Sequence, residues 1–433
     1  MMPRTMPEYS NIPSLAAPLG RTVTGVVGTN SSLRSAVRRG IGRPQTEATR
    51  LRRVGYVWML LFFNVLGSGT TTILHVPRPL LEAMTQGALG AALALALSVN
   101  PKLRVRGNVF LSLYSLLGIL TIMMSVRVPS VGANVRALRL LGFLAVLWLL
   151  TPWWGRRDVL LLRSQAKFLL LIIASVILGL LMGPGHAFDS GRLSGILWPI
   201  PPTQVAHYAA ELSGLALLAW SCRLVSRRTA LIVALPSIGV LLLTHTRTAL
   251  VAGLVGALVA GLSLFAINRR VRRAFAITVI VVAVAGIPLA PFVVNYLARG
   301  ESSQGISTLS GRTSHWAIVV DEQRPETNKL LGSGESNDFA GGQAIDSTWL
   351  STYQNQGLVG DALVGMMFLT VLVGTLLSPP GPSRAIALFL VAYCLVASFT
   401  ETGMGEASQY ALDMALAASL IMAPPSPRFR GSQ

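Results

Sequence analysis

Ala166-Lys-Phe-Leu-Leu-Leu-Ile-Ile-Ala-Ser-Val-Ile-Leu-Gly-Leu-Leu-Met-Gly183 holds a single charge, Lys167, and is apolar on every side of a helix. A helix of about 20 such residues covers the hydrocarbon of a bilayer. Similar runs recur along the chain at 54–74, 80–99, 107–126, 135–151, 203–222, 229–243, 248–267, 274–297, 358–377, 384–399 and 410–423. Hydrophobic residues make up 52% of the 433 positions and charged residues 12%. An ordinary soluble domain carries about 25% charged residues. The sequence therefore predicts an all-α, polytopic integral membrane protein of about 12 transmembrane helices, with a large external loop containing short helices.

Arginine then orients the spans, because cytoplasmic loops retain Lys and Arg. The arm before the first span carries Arg34, Arg38, Arg39, Arg43, Arg50, Arg52 and Arg53. Every second loop is basic: Lys102/Arg104/Arg106, Arg156/Arg157/Arg163, Arg223/Arg227/Arg228, Arg269/Arg270/Arg272/Arg273, Arg384 and finally Arg428/Arg430. That alternation requires an even number of spans and puts both termini in the cytoplasm. The net charge of +19 is thus a topogenic signal and not a nucleic-acid footprint. Arg outnumbering Lys suggests a GC-rich bacterial genome, and with it a bacterial inner membrane.

The expected organisation follows. Residues 1–53 form a disordered basic cytoplasmic arm, rich in Pro, Gly, Ser, Thr and Arg, whose basic end faces anionic membrane lipids. No signal peptide is expected ahead of the first span. Residues 54–298 hold spans 1–9, 299–357 the large external loop, 358–423 spans 10–12 and 424–433 a cytoplasmic tail. Cys222 and Cys394 read as structural filler.

The topology leaves several arginines outside that it does not explain, and three have suggestive settings. Arg192 lies in His186-Ala-Phe-Asp-Ser-Gly-Arg-Leu-Ser-Gly-Ile196. Arg247 lies in the short connection Thr244-His-Thr-Arg-Thr248. Arg312 opens an expected short helix over 311–323 that ends before Pro325. On that helix Arg312, His315, Trp316, Val319 and Val320 would share one stripe. Each arginine has a plain alternative as an anchor snorkelling to headgroups. Three fixed guanidinium groups on one face are also what a diphosphate needs, since the planar fork pairs phosphate oxygens two at a time.

Asp346-Ser347 has a similar ambiguity. Either residue suits the N-cap of a helix that carries Trp349, Leu350 and Tyr353 and breaks at Asn355-Gln-Gly357. Alternatively, Asp346 is a general base that takes a proton from a sugar hydroxyl.

These residues resemble the O-antigen ligase and O-antigen polymerase superfamily. Its late external loop carries His then Asn or Ser, nine residues, then Gly-x-x-Gly. Here Asp346-Ser347, nine residues and Gly357-Leu-Val-Gly360 keep the spacing with Asp in place of His. Further matches occur in order: Arg192-Leu-Ser-Gly195 with Pro202-Thr-Gln204, Thr246-Arg-Thr-Ala-Leu250, Gly311-Arg312 with Trp316, and Leu331-Gly-Ser-Gly334. The resemblance covers roughly residues 55–423. It implies glycosyl transfer at the outer leaflet from a polyprenyl diphosphate-linked oligosaccharide donor to a glycan or glycolipid acceptor, with no metal or other cofactor. It also implies that Arg192, Arg247 and Arg312 hold the diphosphate and that Asp346 stands where the family's acceptor-activating His would be. Because that His is most associated with ligases, a polysaccharide polymerase is preferred over a ligase.

Smaller candidates are His245 and His315 beside the arginines, Tyr353, and Glu401 in Thr400-Glu-Thr-Gly403. His207 and Glu211 read as a mutually satisfied pair inside the sixth span. No group of residues has zinc-ligand spacing, and Gly332-Ser-Gly334 reads as a turn or a set of backbone donors. A transporter or flippase of the same lipid-linked glycan is the rival. It predicts internal repeats and polar groups spread near the midplane of several helices, whereas the sequence has no clear repeat and its ionisable groups collect at the outer face.

Overall fold

The computed structural model describes residues 30–67, 77–127, 130–156, 159–298, 312–334, 339–340 and 343–424. The chain divides into two units, Met1–Thr49 and Arg50–Gln433. The described residues are mostly helical. In order the helices are α1 (Asn30–Asn64), α2 (Arg78–Val99), α3 (Val109–Ser125), α4 (Val131–Leu150), α5 (Leu160–Met182), α6 (Pro202–Ser221), α7 (Arg227–Leu243), α8 (Arg247–Phe265), α9 (Arg269–Ala298), α10 (Arg312–Asp321), α11 (Glu326–Leu331), α12 (Thr348–Leu377), α13 (Pro382–Ala397) and α14 (Gln409–Ile421). Two antiparallel hairpins of two-residue strands complete the set: β1 (Phe188–Asp189) with β2 (Arg192–Leu193), and β3 (Phe339–Ala340) with β4 (Gln343–Ala344).

Residues 1–29 of the expected arm lie outside the described residues, and α1 begins at Asn30. Ala36, Leu51 and the arginines of α1 are good helix formers.

Helix ends follow local sequence. Asn108, Ser130, Ser226 and Ser408 accept the backbone N–H three residues on and so start α3, α4, α7 and α14. Proline stands in the first turn of α2, α6 and α13, where its missing N–H costs nothing.

Among the described residues five helices are long and apolar enough to cross a membrane: Pro79–Val99, Val131–Trp153, Leu160–Met182, Arg247–Phe265 and Thr348–Leu377. A sixth counts if the bent pair Arg269–Ala285 and Ala290–Tyr296, interrupted near Pro288, is one span. The apolar helices α3, α13 and α14 are shorter. Apolar side chains also point away from the bundle, as with Leu181 (75% exposed), Ile232 (73%) and Leu254 (71%). Helices apolar inside and outside suggest a membrane-embedded protein.

Small residues bring the central helices together. Phe389 of α13 is fully buried, and a Cβ added at Gly214 of α6 or Gly256 of α8 would strike its ring. At one end of the bundle Arg106, between α2 and α3, donates to the carbonyls of Trp154 (2.9 Å) and Ala423 (2.8 Å). Asn268, between α8 and α9, donates to Ser221 O at the end of α6 (2.7 Å). Basic loops that are distant in sequence thus meet in space.

Candidate functional site

Arg192 is placed by its hairpin. Ser190 and Gly191 both take positive φ (50° and 76°), the two-residue turn that matches strand twist. The Arg192 guanidinium then reaches the α7–α8 turn, where Nε donates to Thr244 O (3.1 Å) and Nη2 to Thr246 Oγ1 (2.9 Å). Burial lowers the pKa of its guanidinium; nearby Arg312 acts in the same direction, and Glu401 and Asp189 oppose it.

The same turn carries His245 in a left-handed conformation (φ 50°), its ring 4.9 Å from that of Tyr296. Arg247 is the first residue of α8 and is half-buried. Its neighbour Thr248 shares a 2.7 Å hydrogen bond with Thr400, just past α13. The segment after α13 is also tied to the start of α12: Thr348 N donates to Ser398 O (3.0 Å), Thr348 Oγ1 to Glu401 O (2.8 Å) and Trp349 Nε1 to Ser398 Oγ (3.1 Å). These bonds fix Glu401 against the first turn of α12.

Asp346 lies one residue outside that helix. Ser347 occupies the N-cap position without making a side-chain cap bond, and Asp346 Oδ2 instead pairs with Arg312 Nη2 at 3.2 Å. Arg312 is the first residue of α10. Surrounding protein pushes the Glu401 carboxyl up to about 7, with Asp346 adding to the rise and Arg312 and Arg192 opposing it. Arg192, Arg312, Asp346 and Glu401 therefore form one electrostatic cluster.

A cavity of about 520 Å³ adjoins this cluster. Its lining includes Asp346, Glu401 and Thr402 together with Arg139, Gln204, His207 and Gln409. The other expected residues are placed elsewhere. Tyr353 packs with Leu350, Val319 and Ile345, and the Arg324 guanidinium sits 5.4 Å from its ring centre. On α10 Val319 is buried but Val320 is 62% exposed, so the stripe runs through Arg312, Trp316 and Val319 and omits Val320. The helical period puts Val320 about 80° round from Arg312, at the edge of the stripe, and Val319 about 20° to the other side. Trp316 is half-buried on that face, and the His315 side chain lies outside the described residues.

The glycine motif has a structural account. Gly357 (φ 65°, ψ −167°) breaks α12 into two helices, and the carbonyls of Gln354 and Asn355 at the break take donors from outside the helix. Ser333 N donates to Gln354 O (2.9 Å) and Gly334 N to Asn355 O (3.0 Å). Gly332 and Gly357 approach so closely that a Cβ on either would collide with the other segment's backbone.

No protein-family model matches the chain, and no curated protein matches it.

The polar centre of the bundle corrects one expectation. His207 and Glu211 do not satisfy each other. His207 Nε2 lies 2.9 Å from Asp413 Oδ2, while Glu211 accepts from the side-chain amides of Gln165 and Gln409. Residues four apart on α6 both face neighbouring helices, so their partners come from α5 and α14. Arg139, Gln204, Gln409 and Asp413 were not among the expected site residues. An aspartate inside the apolar run of α14 was the available signal.

Proposed function

We propose that the chain is a membrane glycosyltransferase that uses a polyprenyl diphosphate-linked glycan at the outer leaflet, and most specifically a polysaccharide polymerase. One observation carries this reading. Arg192, Arg312, Asp346 and Glu401, separated by as much as 209 positions in sequence, share one electrostatic cluster beside a cavity of about 520 Å³. Two guanidinium groups there suit a departing diphosphate, whose charge develops as the glycosidic bond breaks.

In this mechanism an acceptor hydroxyl oxygen attacks the anomeric carbon of the donor, and the bond from that carbon to the diphosphate oxygen breaks. The electron pair leaves with the diphosphate, which Arg192 and Arg312 stabilise. The hydroxyl proton passes to a carboxylate. We assign that role to Glu401, because its carboxyl is held near neutrality where a general base works best. Asp346, the base expected from the sequence, orients Arg312 through the 3.2 Å ion pair. Arg247 stands beside the site as the first residue of α8.

The matching topology has twelve spans, with α3, α7, α13 and α14 as shorter crossings, both termini cytoplasmic and the site outside a bacterial inner membrane. The meeting of Arg106, Trp154 and Ala423 at one end of the bundle supports it, as does the contact of Asn268 with Ser221. Transfer to another lipid or cell-wall acceptor, by a ligase, uses the same donor chemistry.

A transporter of the lipid-linked glycan is the second reading, favoured by one specific observation. Gln165, His207, Glu211, Gln409 and Asp413 place buried polar groups in three helices, which is where a coupled transporter carries them. Incubating purified protein with a polyprenyl diphosphate oligosaccharide separates the two: a transferase lengthens or transfers the glycan, and a transporter moves it unchanged across a vesicle membrane.

A further inference from the structure

His207 and Glu211 of α6 and Asp413 of α14 offer ligand atoms that all lie within 4.8 Å of one another, and all three side chains are buried. Every carboxylate oxygen there faces a nitrogen. Glu211 Oε1 and Oε2 accept from Gln165 and Gln409, Asp413 Oδ1 accepts from Gln165 (2.6 Å) and Gln409 (2.9 Å), and Asp413 Oδ2 meets His207 Nε2. Amide N–H groups thus donate to both side chains from α5 and α14. Yet among the described residues no lysine or arginine pairs with either carboxylate. Buried charges are otherwise paired or bound to a metal.

A second observation points to a ligand. Gln409 is 5% exposed, touches both carboxylates and lines the cavity, and its Oε1 has no hydrogen-bond partner. Rotation about its last torsion brings this oxygen to where its nitrogen now lies, facing Glu211 and Asp413.

We infer that His207, Glu211, Asp413 and Gln409 form a binding site for one divalent cation, reached through the cavity. Two carboxylates and a neutral imidazole carry two negative charges, which a divalent ion cancels in a medium where a residual charge is costly. Bonds of about 2.1 Å place opposite ligands about 4.2 Å apart, which the cluster accommodates with little movement. One imidazole among oxygen donors suits Mn²⁺ or Zn²⁺ better than Ca²⁺, which takes oxygen throughout. The inference stands apart from the glycosyltransferase reading, and from the expectation that the chain needs no metal.

The test uses the full chain purified in detergent without chelator, with Mn²⁺ as probe and electron paramagnetic resonance to count bound ions. The expected result is one tightly bound Mn²⁺ per chain, displaced by Zn²⁺. Glu211→Gln and Asp413→Asn should each weaken binding at least about tenfold, as loss of a metal-site group does. Gln409→Ala, which leaves both carboxylates, should weaken it less and serves if the other variants do not fold. Wild-type protein that binds no Mn²⁺, or binds it equally well in Gln409→Ala and Glu211→Gln, overturns the site and leaves two carboxyls sharing a proton.

Discussion

Arg312 Nη2 lies 3.2 Å from Asp346 Oδ2, and this pair joins the start of α10 to the residue just before α12. The two residues are 34 positions apart in sequence, and neither helix needs the other to form. Their contact makes a charged edge beside a cavity, with Arg192 and Glu401 close enough to alter each other's protonation.

Removing the Arg312 charge should therefore cost the reaction more than the fold. In Arg312→Ala we expect kcat to fall about a hundredfold, the scale of losing one preset electrostatic donor. Elution from a sizing column should stay normal. Arg312→Lys should recover little, because an ammonium cannot supply the planar fork. Full activity in Arg312→Ala would remove Arg312 from the mechanism.

On the proposed mechanism Glu401 sets the pH dependence. As a base it works ionised, so with its carboxyl held at about 7 the rate should rise with pH and reach half its plateau near 7. The sign for stability is opposite. A raised carboxyl pKa means that the folded chain holds a proton the unfolded chain has lost, so Glu401's contribution declines as pH climbs from about 4.5 through 7. Glu401→Gln should abolish the acidic limb of the rate profile while the protein stays folded. An unchanged limb would return the base to another group, and Asp346→Asn then becomes the decisive variant.

The break in α12 makes a prediction about the backbone. Gly357→Ala forces a Cβ against the 330–332 backbone at a φ of 65°, and Gly332→Ala meets Asn355 at a φ of 81°. Each should destabilise by about 2 kcal/mol or more. A fluorescence-monitored melt reads this as a clear drop in Tm, whereas Gly239→Ala, with open space around it, should melt like the wild type.

Parts of this arrangement were legible in the sequence and parts were not, for physical reasons. Apolar runs locate helices well because burial acts on whole faces, and α2, α5, α8 and the second half of α12 fall on the expected segments. Whether a short helix such as α14 crosses a membrane depends on tilt and neighbours, which a run of residues does not encode. Arg192, Arg312, Asp346 and Glu401 stood out because charge beside apolar segments is conspicuous. Arg139 did not, since an arginine one turn from Arg136 resembles any anchor until Asn64 is found accepting its Nε at 3.3 Å. Asp413 escaped because its partner His207 is 206 positions away.

Topology can be checked with single cysteines. With Cys222 and Cys394 replaced, Glu326→Cys on exposed α11 should react with a membrane-impermeant maleimide added to intact cells. Arg228→Cys, exposed at the start of α7, should react only after the membrane is opened. The reverse pattern would place the candidate site on the cytoplasmic side.

Glycosyl transfer at the Arg192–Arg312–Asp346–Glu401 cluster, as proposed, is tested directly by one assay. Purified protein is mixed with a polyprenyl diphosphate-linked oligosaccharide, and both the glycan length and the released polyprenyl diphosphate are measured by mass spectrometry. The expected result is longer or transferred glycan with one diphosphate carrier released per bond formed, and both products formed about a hundredfold more slowly in Arg312→Ala. Intact substrate with the wild-type protein, moved across a vesicle membrane without chemical change, would contradict it and establish the transporter reading.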